Sequence, residues 1–273
     1  MPALLIFISI PRLAPNMKKL LLSLSLLAAL PVLAAESRSF AILSLAGDSI
    51  TSATWVNGTG TKLDATDYQV FPLPANNTTF DDAAIRAASA ALKTVQPDAA
   101  PFLMLTTDAE LHQAQNAMFD HPEQQQANRD YLKTLWKDHP VSHLILITKY
   151  RATPEVKFLQ QSEGNGKVEG LGFYMNNNVH VTSYGGKNNE SSQGILMPYA
   201  YIKLRLIDTS TMRVVREVTR KESEVVTYPA DAERAVRTWD ALTPKQKTEY
   251  LDTLLRRAVT EGVPKLLNEQ AAQ

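Results

Sequence analysis

The sequence predicts a single layered α/β domain with a mixed sheet. Three observations carry this. Short apolar runs alternate with amphipathic helical stretches from Phe40 to Tyr150. Strand-like segments with glycine-bearing turns follow, from Val156 to Val226. Two helical stretches then close the chain. Strand–helix alternation marks a layered α/β unit, and hairpins add antiparallel strands to it.

Phe40 to Leu45 is an apolar run ending at Gly47-Asp48, which reads as a buried strand and a turn. Thr51 to Val56 returns as a second strand, closed by the turn pair Asn57-Gly58. Between 57 and 79, Thr, Asn, Gly and Pro leave room for one strand, around Tyr68 to Phe71. Asp81 to Val95 is the first helix, capped by Thr79 or Asp81, with Ile85, Ala88 and Leu92 on one face. Phe102 to Leu105 is the next strand. Glu123 to Lys137 is the second helix, with Tyr131, Leu132, Leu135 and Trp136 on its buried side. Val141 to Tyr150 holds the strongest buried-strand signal, Leu144-Ile145-Leu146-Ile147.

Val156 to Gln161 and Val168 to Met175 flank Gly164-Asn165-Gly166 and predict a hairpin. Val179 to Ser183 is a further short strand, followed by a polar loop from Gly185 to Gly194. Tyr199 to Ile207 alternates: Ala200, Ile202, Leu204 and Leu206 on one face, Tyr201, Lys203 and Arg205 on the other. That pattern predicts a half-buried strand whose apolar face meets the helices. Asp208 to Thr211 turns it and Arg213 to Val226 returns. Asp231 to Ala241 is a helix. Thr243-Pro244-Lys245-Gln246 opens the last one with a capping box. It is expected to run to about Glu261, with Leu266-Leu267 docking beyond Gly262.

The N-terminus has the layout of a secretory signal. Lys18-Lys19 precede an apolar run of 11 residues, Leu20 to Leu30, then Pro31 and the small-residue exit Val32-Leu33-Ala34-Ala35. A membrane-spanning helix needs roughly 20 apolar residues, so cleavage at Ala34 or Ala35 is expected, with no stable anchor afterwards. Met17 reads as the better start, which makes residues 1–16 an upstream extension, 17–34 the signal and 36–270 the domain.

The composition excludes several classes. The chain has no cysteine, hence no disulfide, thiolate metal site, cysteine nucleophile or lipid-anchoring cysteine. Its 28 basic and 28 acidic groups balance. Removal of residues 1–34 takes Arg12, Lys18 and Lys19 and leaves a slightly acidic protein. That charge gives no footprint for nucleic acid or anionic lipid.

Gly47-Asp48-Ser49-Ile50-Thr51, after a buried strand, resembles the nucleophile block of SGNH-type esterases and lipases. The resemblance implies Ser49 as a nucleophile, with Asp48 beside it. That family takes its base from an Asp-x-x-His block and an oxyanion donor from a Gly-x-Asn-Asp block. None of the five histidines (His112, His121, His139, His143, His180) follows an Asp by three positions, and no Asn-Asp pair occurs. Turn chemistry alone favours Gly, Asp and Ser at this point. His139 and His143 are spaced like helical metal ligands, but Pro140 between them breaks the geometry. Asp108, Glu110 and His112 sit at a helix start, where acids are favoured anyway. Gly164-Asn165-Gly166-Lys167 is followed by a strand pattern, whereas a phosphate loop needs a helix there. No metal or cofactor is expected. Phe173 and Tyr174, among the aromatics of the hairpin half, are the candidate partner-binding residues.

Ser39 to Thr51 with Thr59 to Asp64 resembles the opening of a group of uncharacterised exported proteins of Gram-negative bacteria. Leu144 to Thr148, the glycine-bearing hairpin and Tyr201 to Arg216 resemble periplasmic accessory domains of the curli-assembly, penicillin-binding-protein-activator and TolB N-terminal kind. That likeness implies partner binding at the cell envelope and carries no catalytic residue. The expectation is therefore an exported, periplasmic or secreted, non-catalytic protein that binds an envelope partner. The alternatives are a serine esterase using Ser49 and a small-molecule binding protein.

Overall fold

Phe40–Ser44 (β1) is buried at every position and lies between two parallel neighbours. These are β4 (Phe102–Met104) and β5 (His143–Lys149). In the computed structural model, residues 38–55, 66–74, 76–156, 164–183, 190–226 and 238–268 are described. The signal region, Asn57-Gly58, the 59–64 stretch, 157–163, 184–189 and 231–237 lie outside them.

Parallel neighbours require crossovers. The crossover from β1 to β4 contains the hairpin β2 (Ser49–Trp55) and β3 (Thr66–Pro72), then helix α1 (Thr79–Val95). The crossover from β4 to β5 holds three short helices, α2 (Ala109–Ala114), α3 (Ala117–Asp120) and α4 (Gln126–Thr134). Alternation along the strands sends these to opposite faces. Phe40, Ile42, Ile145 and Ile147 pack with α1 and with the last helix, α5 (Pro244–Leu267). Ala41, Leu43, Leu144 and Leu146 pack with Leu111, Met118, Leu132 and Trp136.

The second half is antiparallel. β7 (Val168–Ser183) pairs with β8 (Glu190–Asp208), and β8 with β9 (Arg213–Ser223). A two-residue β6 (Arg151–Ala152) pairs with the start of β7. With β2 parallel to β7, the described strands join in one nine-stranded mixed sheet. The expected mixed α/β fold class is therefore observed. No helix of the described residues is long and apolar enough to cross a membrane.

Several elements differ from expectation. The Glu123–Lys137 helix is a 3-10 turn, Pro122–Gln124, followed by the shorter α4. Leu132 and Trp136 are buried there, but Tyr131 points outward. Among the described residues the strand opposite the start of β7 is Arg151–Ala152, whereas 157–161 of the expected Val156–Gln161 strand lie outside them. Asn165 is exposed in the turn, and Gly166 takes φ 79°. β7 runs on through 179–183 as one strand, and β8 already begins at Glu190, inside the expected loop. Of the expected Asp231–Ala241 helix, 238–241 are described and form a 3-10 turn, and the rest lies outside the described residues. The capping box at Thr243 and Gln246 is present, but α5 continues past Gly262 to Leu267 because Val263, Leu266 and Leu267 complete its buried face.

The register of β8 is as the alternation predicts: Ala200, Ile202, Leu204 and Leu206 face α1 and α5. Its other face, however, is covered as well. Arg205 is fully buried and Lys203 is largely so. Arg205 is tolerated because every part of its guanidinium is met. Nε donates to Glu217 at 2.9 Å, one terminal nitrogen to Asp120 at 2.7 Å, the other to Asn116 Oδ1 at 2.9 Å. A buried charge is costly unless it is paired in this way.

Candidate functional site

β9 pairs with β8 over 199–208, while β7 takes the opposite edge up to Tyr201 and β5 takes it from Ile202. The sheet therefore forks at Tyr201/Ile202. β5 and β7 lie end to end on that edge, so the strands outside them, β1 and β2, do not pair with each other and a gap opens between them. Lys149 ends β5, Glu169 stands near the start of β7, and Ser49 begins β2. A crevice of about 670 Å³ lies here, closed by the N-terminus of α1 and by α2. It is also the point where the crossovers leaving β1 and β4 depart to opposite faces, outside the carboxyl ends of β1 and β5. Open α/β sheets commonly place ligands at such points.

The floor is held by Asp81. It is buried, in the first turn of α1, and turns back onto the end of β1. Its Oδ1 accepts from Ser44 Oγ at 2.6 Å, Ala46 N–H at 3.1 Å and Gly47 N–H at 3.0 Å. Position 47 must be glycine for this clamp, because a Cβ there would stand 2.8 Å from the Asp81 nitrogen. The other carboxylate oxygen is 3.3 Å from His112 Nε2, and His112 Nδ1 is 2.8 Å from the Asp108 carbonyl. Burial opposes the charge on His112, but the bonds to Asp81 and Asp108 and the nearby carboxylates outweigh it and raise its pKa.

Asp48, Ser49 and Lys149 form one wall. Lys149 Nζ pairs with the Asp48 carboxylate and donates to Ser49 Oγ at 2.6 Å. Ser49 Oγ is 3.3 Å from Asp48 Oδ1, as donor. The stem of Lys149 lies over Gly170, whose φ of +66° and lack of a Cβ admit it. Hydrolytic use of Ser49 needs a base that accepts its proton. Among the described residues its hydrogen-bond partners are an acid already paired with Lys149 and that lysine as donor.

The opposite wall comes from the α2–α3 junction. Gln115 Oε1 accepts from the Lys149 backbone N–H at 2.7 Å, and Asn116 Nδ2 donates to the Lys149 carbonyl at 2.9 Å. These amides replace the ladder partner that β5 lacks beyond the end of β1, whose pairing stops at Ser44 and Ile147. On the β2 side, Thr51 bonds the buried Tyr199 hydroxyl and the Leu171 carbonyl. Burial drives the Tyr199 hydroxyl far toward its neutral form. Tyr68 stands at the mouth, 39% exposed.

The structure brings Ser49 and Asp48 to this site together. It does not bring Phe173 and Tyr174 to a surface: both are buried, Phe173 under α5 and Trp239, Tyr174 among Tyr199, Tyr201 and Met197. The sheet is covered on both faces where they stand, so the expected partner face is interior. The Tyr174 hydroxyl instead accepts the Asn165 N–H at 3.2 Å and fixes the turn. Ala34 and Ala35 lie outside the described residues. His139 stacks on Phe102, with ring centres 3.8 Å apart, while His143 packs by Phe40. Among the described residues no group of three or more His, Asp or Glu could hold a metal. Sequence reasoning missed Asp81, Gln115, Asn116 and Lys149 as site residues. One signal was present: Lys149 is the charged residue that ends the most apolar strand of the chain.

No protein-family model and no curated protein matches the chain. Among solved structures, it is similar to a crystallised Helicobacter pylori protein described as a neuraminyllactose-binding hemagglutinin homolog. The TM-score is 0.36 and the identity 7%, over 86% of each chain.

Proposed function

We propose that this is an exported, non-catalytic binding protein that holds a small hydroxyl-rich molecule in the forked-sheet crevice. One observation carries the reading. Most charges around the crevice are already satisfied by each other, Asp48 with Lys149 and Asp81 with His112, which leaves the Glu169 carboxylate on the β7 side. The other groups facing the space are hydrogen-bonding and neutral: Asn77, Thr106, Thr107 and Gln113, with the ring of Tyr68 at the mouth. Neutral dipoles around an aromatic platform suit polyhydroxylated ligands and fix their orientation. Export is supported by the basic pair, short apolar core and small-residue exit of residues 17–35. The periplasm or the exterior is the compartment that this address gives.

Titration of isotope-labelled protein with a panel of sugars, polyols and nucleosides tests the reading by NMR. Saturable shifts at the amides of Thr51, Gln113 and Asn116 are expected for the sugars. Shifts confined to other surfaces, or none, would overturn it. Labelling of Ser49 by a fluorophosphonate probe would overturn the non-catalytic part. A second reading, docking of an envelope protein, is favoured by the β3 edge, where Val70 and Phe71 are exposed. Cross-linking from position 71 in intact cells would reveal that partner.

A further inference from the structure

Tyr68 lines two crevices. Beyond it lies a second one of about 460 Å³, formed by Arg151, Thr153, the Gly164-Asn165-Gly166 turn and Lys167. Its chemistry is the reverse of the first. Lys167 Nζ donates to a neutral group, Thr153 Oγ1, at 2.8 Å. Among the described residues neither Lys167 nor Arg151 has a carboxylate within ion-pair distance, whereas Lys149, Lys203, Arg205, Arg220 and Lys221 all do. The turn that carries Lys167 is anchored rather than loose. Gly164 N–H donates to the Pro154 carbonyl at 2.7 Å, and Asn165 N–H to the buried Tyr174 hydroxyl. Arg151 is set by the β6–β7 register, directly opposite Glu169, which lines the first crevice. The two cations are thus placed on fixed backbone at the far side of one shared aromatic ring.

We propose that the two crevices are a single elongated site, occupied by a polyhydroxylated molecule with an anionic terminus. The hydroxyl-bearing body fills the fork, crosses the Tyr68 ring and places a carboxylate or phosphate against Arg151 and Lys167. The planar guanidinium can meet such an anion with two parallel hydrogen bonds, and the ammonium adds a point charge. This rests on the reading of the fork crevice as a sugar-type site, and the test separates the two.

Isothermal titration of the full chain with maltose, maltobionate and maltose 1-phosphate compares a neutral disaccharide with two anionic relatives. Both anionic probes are expected to bind about tenfold tighter than maltose, the gain of a charge-assisted contact. In the R151Q/K167Q double variant they should fall to the level of maltose, with maltose and the melting temperature unchanged. Whichever anion binds tighter identifies the terminus. Equal binding of all three probes to the wild-type chain would overturn the anionic end while leaving the fork site standing. Anion binding that survives in the double variant would overturn the assignment to Arg151 and Lys167. Binding of none would overturn both readings.

Discussion

Asp81 and Ser49 line the same crevice but differ in role. Asp81 Oδ1 alone satisfies two backbone N–H groups and the Ser44 hydroxyl, all buried. Ser49 Oγ only joins an ion pair that persists without it. Each buried polar group left unpaired costs about 1–3 kcal/mol. Asp81→Ala should therefore lose about 3 kcal/mol or more, and Ser49→Ala less than about 1 kcal/mol. Urea denaturation of both variants checks this; comparable losses would remove Asp81 from its place as the clamp. His112 gives the site a pH dependence. Its pKa is raised in the folded chain, so protonation favours folding. That contribution is complete below about pH 6.5, the ordinary histidine value, and disappears as pH rises through the higher folded value. The stability advantage of wild type over His112→Gln should shrink as pH rises above about 6.5. An advantage that grows with pH would show that His112 is bound neutral.

At the scale of elements, β8 was legible and its surroundings were not. Period-two alternation identifies the Ala200, Ile202, Leu204, Leu206 face, because a slip by one residue would turn those side chains outward. It says nothing about what covers the other face. Three short helices with weak sequence signals do so, which is why Lys203 and Arg205 read as solvent-facing. Phe173 and Tyr174 were misplaced for the same reason: alternation distinguishes two faces but cannot tell whether both are covered. The crevice was half legible. Gly47-Asp48-Ser49 marks a strand end, but the fork that brings Glu169 and Lys149 beside it is a long-range pairing of β5 and β7 with one edge of β8. Arg205 offers a test of the covering layer. Asp120 and Glu217 are both about half-exposed and can be rehydrated. Replacing the whole arginine by an apolar group of similar length should thus cost little, whereas truncation leaves a void beside Phe119. Arg205→Met is expected within about 1 kcal/mol of wild type and Arg205→Ala about 3 kcal/mol below it. Equal losses would mean that the charge itself, and not the packed stem, holds the α3 layer.

On the scale of the whole molecule, β8 is the member common to every part. Its residues enter the cluster under α1 and α5 (Ile202, Leu204), the cluster under α2–α4 (Ile207) and the tyrosine cluster beside the hairpin (Tyr199, Tyr201). Both arms of the fork hydrogen-bond to it. Neither arm can separate from the sheet without exposing apolar side chains of β8, at about 1.5–3 kcal/mol for each large one. The arms should therefore unfold together rather than as independent halves. The chain carries its own reporters, since it has three tryptophans and each packs on a different cluster. Trp239 lies against the first, Trp136 belongs to the second and Trp55 packs on the third. Variants that keep one tryptophan and change the other two to phenylalanine should each remain folded. Normalised to each variant's circular dichroism, the fluorescence of Trp55, Trp136 and Trp239 should report one and the same urea midpoint. A lower midpoint for Trp55 than for circular dichroism would show that the β2–β3–β7 arm opens first. The crevice between the arms would then be a hinge, and ligand binding would be coupled to its closing rather than to a preformed cleft.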